Sequence, residues 1–176
     1  MLKEYKTILL DEVDSVAILK LNRPEKLNAF NMQMFDDMLD AIDLVNNNDN
    51  IKSLVITGSG RAFCAGADLS FGEKTFDKEF DTKGQFEADY RRDAGGILNL
   101  KIYNSLKPVI AACNGDAVGV GATMQLPADV RIATTNSRFA NLELVVAILT
   151  SAGNCIVAPT PTASPLHAAI TGFKEL

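Results

Sequence analysis

The chain has 176 residues, 47% of them apolar and 22% charged, with a formal net charge of −5. That balance fits one globular domain with at most an appendage, and it excludes a disordered, collagen-like or coiled-coil chain. The acidic excess excludes the basic footprint of a nucleic-acid binder, and no stretch approaches the roughly 18 apolar residues of a membrane span.

Two strands are predicted first, at 5–10 (YKTILL) and 15–22, with Asp11 to Asp14 as the turn between them. The segment from Asn22 to Asn28 is a loop by its Pro and Asn content. Asn31 is a candidate N-cap, and Met34, Phe35, Met38, Ile42 and Val45 recur at helical spacing, a stripe for core packing. Asp36 and Asp37 are expected at the positive end of that helix, and Asn46 to Asn48 should end it. Ser53 to Thr57 reads as a buried strand, so strand, helix and strand suggest a crossover in a largely parallel sheet. Residues 71–93 carry 12 charges of mixed sign and four phenylalanines, the pattern of a flap or of a solvated surface excursion. A helix follows at 96–106, then strands at Val109–Ala112 and Val130–Thr134, and an extended piece from Phe139 to Val146. The last 29 residues, from Ile148, hold two charges and three prolines, unlike a solvated linker.

Few motifs carry chemistry. Cys64, Cys113 and Cys155 form no CxxC pair and read as buried, reduced thiols of a cytosolic protein. With His167 the only histidine, neither a zinc site of the usual ligand set nor a His-dependent triad is expected. The charged, apolar mixture at the N-terminus is not a secretory leader, and GFKEL at the C-terminus is neither an ER-retention nor a peroxisomal address, so a cytoplasmic location is expected. The GSGRAF and GVGATM segments lack the third glycine of a dinucleotide loop, and there is no P-loop or GxSxG elbow. What remains is two glycine breaks after buried strands, at 64–69 (CAGADL) and 114–121 (NGDAVGVG). Two such turns could direct two backbone N–H groups at one oxyanion. Spacing alone equally fits two ordinary turns.

At these residues the sequence resembles the crotonase family, the enoyl-CoA hydratase/isomerase superfamily. The matching segments are LNRPEKLNAF (21–30), SLVITGSGRAFCAGADLS (53–70), KPVIAACNGDAVGVGATMQLPADVRIAT (107–134) and SRFANLEL (137–144), in the family's order. The resemblance implies an α/β fold, a spiral of repeated ββα units, spanning residues 1–147. It also implies assembly as trimers or hexamers and an acyl-CoA thioester as substrate. Coenzyme A enters as part of that substrate, with no separate cofactor and no metal. The oxyanion donors carry over to the amides of Ala67 and Val120, flanked by Ala65, Gly66, Gly119 and Gly121. The nucleotide of CoA carries over to Glu25, Lys26, Leu27, Asp68 and Leu69, and Lys26 is a candidate phosphate contact.

The acid–base residues divide this family. The first carboxylate of its hydratases falls on Thr123, which cannot act as one; the second falls on Glu143. A single carboxylate suits a proton shuttle, so isomerisation of a 3-enoyl-CoA to a 2-enoyl-CoA is the favoured reaction, with Glu143 as acid and base. Hydration, another reaction of the family, and a non-catalytic acyl-CoA-binding role are the alternatives. Asp116 reads as a turn former. The resemblance fades after residue 147, so 148–176 is expected to be a truncated or altered tail. The usual C-terminal helices would then be absent, and an apolar surface exposed.

Overall fold

The computed structural model describes residues 2–70, 85–87, 90–140 and 155–158. Strands β1 (Lys3–Glu4), β2 (Ile8–Val13) and β3 (Val16–Leu21) form an antiparallel meander. The turn between β2 and β3 is shorter than the sequence suggested. Only Asp14 and Ser15 leave the ladder, both with positive φ, at 50° and 67°. A two-residue turn with both central residues left-handed matches the twist of the strands it joins. Asp11, Glu12 and Val13 therefore pair within β2 instead of forming the turn.

Helix α1 (Met32–Asn46) starts where expected, because the Asn31 side chain accepts from the Met34 N–H at 2.9 Å. Its stripe of Met34, Phe35, Met38, Ala41, Ile42 and Val45 is buried. Burying each large side chain of that stripe contributes roughly 1.5–3 kcal/mol. Asp36 and Asp37 do not cap the positive end, since the first turn holds no acidic residue. The dipole acts within that turn only. Asp37 is buried instead, and accepts from the Thr7 N–H at 2.9 Å, the Thr7 hydroxyl at 2.7 Å and Gln33 at 2.8 Å. It thereby ties the helix to the entry of β2.

From β3 onward the chain repeats one manoeuvre. Strand β4 (Ser53–Gly58) joins a large sheet, β5 (Ala62–Cys64) joins a small one, and α2 (Ala94–Tyr103) follows. Between them lies the antiparallel pair β6 (Gln85–Glu87) and β7 (Tyr90–Arg92). Then β8 (Val109–Cys113) enters the large sheet, β9 (Asp116–Val118) the small one, and the short helix α3 (Val120–Thr123) follows. β10 (Val130–Thr134) and β11 (Phe139–Ala140) begin the cycle again. With β12 (Cys155–Ala158), the large sheet has the order β1-β2-β3-β4-β8-β10-β12, parallel from β3 onward. The small sheet has the order β11-β9-β5, all parallel. This is the ββα repetition that the resemblance implied.

Strands β4 and β8 are buried throughout. Alternate residues face opposite sides: Leu54, Ile56, Val109 and Ala111 join the core with α1 and α2, while Val55, Ile110, Ala112 and Ile132 form a second cluster. A parallel sheet covered on both faces reads as a continuous apolar run, as SLVIT and VIAA do.

Helix α2 starts two residues before the predicted 96, since the Asp93 side chain accepts from the Gly96 N–H at 2.6 Å. It ends at Tyr103 instead of Leu106, where the Asn46 side chain takes the Leu106 N–H at 2.9 Å. Asp116 is no turn former. It lies in β9, and its carboxylate accepts from Arg138 Nε and Nη2 at 2.8 and 2.5 Å, which lowers its pKa. The flap reading of 71–84, the extended reading of 141–146 and most of the 148–176 tail lie outside the described residues. Among the described residues, no helix is long and apolar enough to cross a membrane.

Candidate functional site

The small sheet places the two glycine breaks. β5 and β9 are parallel neighbours, with Cys64 opposite Ala117, so the loops that follow them emerge at the same end. Ligand crevices in parallel α/β sheets form at the carboxyl ends of strands. The Gly66 and Gly119 loops are in contact: a Cβ built on Gly66 would lie 3.1 Å from the Val118 carbonyl oxygen, and one on Gly119 4.0 Å from the Gly66 Cα. Gly119 has φ 52° and ψ −122°, a backbone conformation that L side chains rarely adopt. Gly121 is required by close approach instead, since a Cβ there would fall 2.2 Å from the Cys64 carbonyl oxygen.

Backbone pairing sets the direction of the Ala67 amide. Phe30 N–H donates to the Gly66 carbonyl at 2.7 Å, and Asp68 N–H donates to the Phe30 carbonyl at 2.8 Å. This is a parallel bridge between Phe30 and Ala67. In a bridge of this kind the central residue's own N–H points away from its partner strand. Val120 opens α3, where the first N–H groups have no helical acceptor. Among the described residues, neither the Ala67 nor the Val120 N–H donates to a backbone carbonyl.

The loop at 22–30 is bound to the first glycine loop. Ala65 N–H donates to the Leu27 carbonyl at 3.0 Å. Leu27 and Asn28 are both left-handed, at φ 51° and 56°. Asn28 is fully buried; its Oδ1 accepts from the Arg23 N–H, and its Nδ2 donates to the Ser59 and Ala62 carbonyls, each at 2.9 Å. Glu25 and Lys26, in the 3-10 turn Pro24–Lys26, are exposed. Leu69, 63% exposed, stands at the rim of the first glycine loop, and Val118 is exposed just before the second.

The Asp68 side chain is held internally. Arg23 Nη2 lies 2.7 Å from its Oδ2, and Ser70 donates to its Oδ1 through both N–H and hydroxyl. The Ser70 hydroxyl, ahead of Arg23, holds its pKa down at about 2 against burial. Cys64, beneath the loop, is pushed up to about 11 by burial and stays a neutral thiol near pH 7. Cys64 and Cys113 are both buried. Thr123 is half-buried, and its hydroxyl donates to the Val120 carbonyl at 3.3 Å.

Glu143 lies outside the described residues. Ala140, three positions before it, pairs with Val118 in β9, so the chain leaves the described region beside the second glycine loop. A separate cleft between β1 and α1 includes Lys3, Tyr5, Asp37 and Asp40 and shares no residue with these loops. Its Asp40 carboxylate is taken by Lys3 and Tyr5. Arg23, Asn28, Ser70 and Asn114 were not picked out from the sequence. Asn114 accepts from the Gly58 N–H at 3.0 Å and donates to the Gly60 carbonyl at 2.9 Å. Only the Pro and Asn content of the loops hinted that polar side chains would organise them.

Comparison with known proteins agrees with this arrangement. The profile of the enoyl-CoA hydratase/isomerase family matches residues 11–160. An enoyl-CoA hydratase of Alternaria alternata is 41% identical over 127 residues, covering 72% of this chain and 40% of that protein. The 1,2-epoxyphenylacetyl-CoA isomerase of Escherichia coli is 39% identical over 132 residues, covering 70% of this chain and 46% of that protein. The chain thus spans about half or less of the length of these relatives. The crystal structure of an enoyl-CoA hydratase from Bacillus anthracis superposes with a TM-score of 0.65 at 28% identity, covering 81% of this chain and 53% of that one. Profile, relatives and fold coincide on the segments that build the two glycine loops, and the chain belongs to the enoyl-CoA hydratase/isomerase family, with its crotonase-like α/β fold.

Proposed function

We propose that this chain binds an acyl-CoA thioester at the two glycine loops and isomerises a 3-enoyl-CoA to a 2-enoyl-CoA. The observation that carries this reading is the meeting of the Gly66 and Gly119 loops at one end of parallel β5 and β9. The Ala67 and Val120 amides on those loops would receive the thioester oxygen. In this reaction Glu143 removes a proton from C2 of the acyl chain. The electron pair moves onto the thioester oxygen as an enolate, which the two amides stabilise by roughly 3–4 kcal/mol each. Return of the proton to C4 shifts the double bond from C3–C4 to C2–C3. Coenzyme A takes part only as the substrate's carrier, with Glu25, Lys26, Leu27 and Leu69 along its path. Self-assembly into a trimer or hexamer belongs to the same proposal.

Thr123 favours isomerisation over hydration. Hydration in this family uses a second carboxylate, and here a hydroxyl occupies that position and donates to the helix's own Val120 carbonyl. The same residue supports a second reading, a non-catalytic acyl-CoA-binding protein. Exchange of the substrate's C2 protons with deuterated water distinguishes the two, since a pure binding protein does not accelerate it. Calorimetric titration of the intact chain with a 3-enoyl-CoA and with CoA alone is the direct test. Saturable binding of the thioester supports the site, and no binding by a folded sample overturns it. Glu143→Gln should abolish isomerisation and leave thioester affinity nearly unchanged; full turnover in that variant removes Glu143 from the mechanism.

A further inference from the structure

We infer that Arg23 and Asp68 form a positioning pair that fixes the direction of the Ala67 amide. This rests on the reading of Ala67 as an oxyanion donor. The guanidinium reaches both strands of the Phe30–Ala67 bridge. Nη1 donates to the Ala29 carbonyl at 2.5 Å, one residue before Phe30, and Nη2 meets Asp68 Oδ2 at 2.7 Å, one residue after Ala67. Together with the two backbone bonds of the bridge, this closes a ring around the Ala67 peptide. The second carboxylate oxygen of Asp68 accepts from the Ser70 N–H and hydroxyl, which holds the carboxylate in place facing Arg23.

The pair is mostly shielded, with side-chain exposures of 15% for Arg23 and 9% for Asp68. A planar guanidinium with several fixed donors can hold two acceptors at once, and an ammonium offers no such fork. The alignment of an oxyanion donor governs its effect on the transition state, and a misplacement of about 1 Å can cost as much as about 100-fold in rate. Arg23 and Asp68 touch no reacting atom and act through the Ala67 peptide.

Butyryl-CoA labelled with carbon-13 at the thioester carbonyl, which lacks a double bond to isomerise, is the probe. Its carbonyl stretch in isotope-edited infrared difference spectra reports polarisation by the two amides. The intact wild-type chain should shift the band to lower frequency on binding. Arg23→Lys should lose about half of that shift or more while CoA alone binds within about twofold of wild type. Asp68→Asn, the near-isosteric change, should act in the same direction and keep the test open should Arg23→Lys not fold. The double variant should be no worse than the more damaged single one, as expected for partners in one network. Folded variants with the wild-type band overturn the inference. A wild-type band that does not move on binding overturns the oxyanion reading beneath it, a separate result. Lowered urea midpoints with an unmoved band assign the pair to stability alone, which also overturns it.

Discussion

Asp68 combines a charge, a shielded place and three donors, and each has a measurable consequence. Its carboxyl titrates near 2, against 3.8 for an unperturbed aspartate. A depressed folded pKa contributes stability that is complete above the unfolded value and disappears as pH falls through the folded one. The chain should therefore lose stability between about pH 4 and pH 2. Asp68→Asn should flatten that part of the curve, as read by urea midpoints at stepped pH. Solvent reaches the pair's edge, so the effect will fall short of that for a fully enclosed ion pair. Cys64 gives a simpler expectation. Its thiol is buried and raised to about 11. Alkylation at pH 8 should be slow in the native chain and rapid only after denaturation; fast native labelling would contradict the burial. At Gly121 the missing Cβ keeps α3 against β5. Gly121→Ala should cost about 1–3 kcal/mol and weaken thioester binding, measured by denaturation and calorimetry.

Helix α1 shows how much a periodic pattern determines. Its cap, its stripe and its end are all local features, and the structure reproduces each of them. Ile42→Ala, in the middle of the stripe, should destabilise the chain by about 2–5 kcal/mol without changing the helix's ends. The hairpin of β2 and β3 was legible as two strands, but its turn was not. LDEVDSV offers several polar residues, and cross-strand pairing selected Asp14 and Ser15. The loop at 22–30 was legible only as a loop. Its conformation depends on Asn28, whose three hydrogen bonds reach the Arg23 N–H and the carbonyls of Ser59 and Ala62. Asn28→Ala should cost about 1–3 kcal/mol, because buried carbonyls lose their donor. Its effect should extend to the Gly66 loop, through the bond between Ala65 N–H and the Leu27 carbonyl.

Two sheets, each gaining one parallel strand per repeat, organise most of the described residues. The first strand of a repeat builds the large sheet and the second builds the small one, so the carboxyl ends of β5, β9 and β11 all lie at one end of the small sheet. Pairing of segments as distant in sequence as Leu54 and Val109 makes this a topology of nonlocal contacts. Such topologies fold in milliseconds to seconds, not microseconds, and stopped-flow refolding should find that range. The exposed apolar residues Tyr103 and Leu106 lie at and just beyond the end of α2. They bear on the proposed self-assembly, which light scattering of the intact chain would test.

The family, the αβ alternation, the α1 stripe and the two glycine segments were all determined by the sequence alone, since each depends on residues close together in the chain. Residue type at Thr123 and Glu143, on which the proposed isomerisation rests, was likewise read from the sequence without any coordinates. Tertiary structure decided the rest. That the Gly66 and Gly119 loops touch follows from the parallel pairing of β5 with β9. That Asp68 faces Arg23 and Ser70, and that Asp116 pairs with Arg138 inside a strand, follows from neighbours that no local pattern encodes. Periodicity and turn chemistry report what a segment does with itself; hydrogen-bond partners and the direction of an amide are fixed only when distant segments are brought to the same end of a sheet.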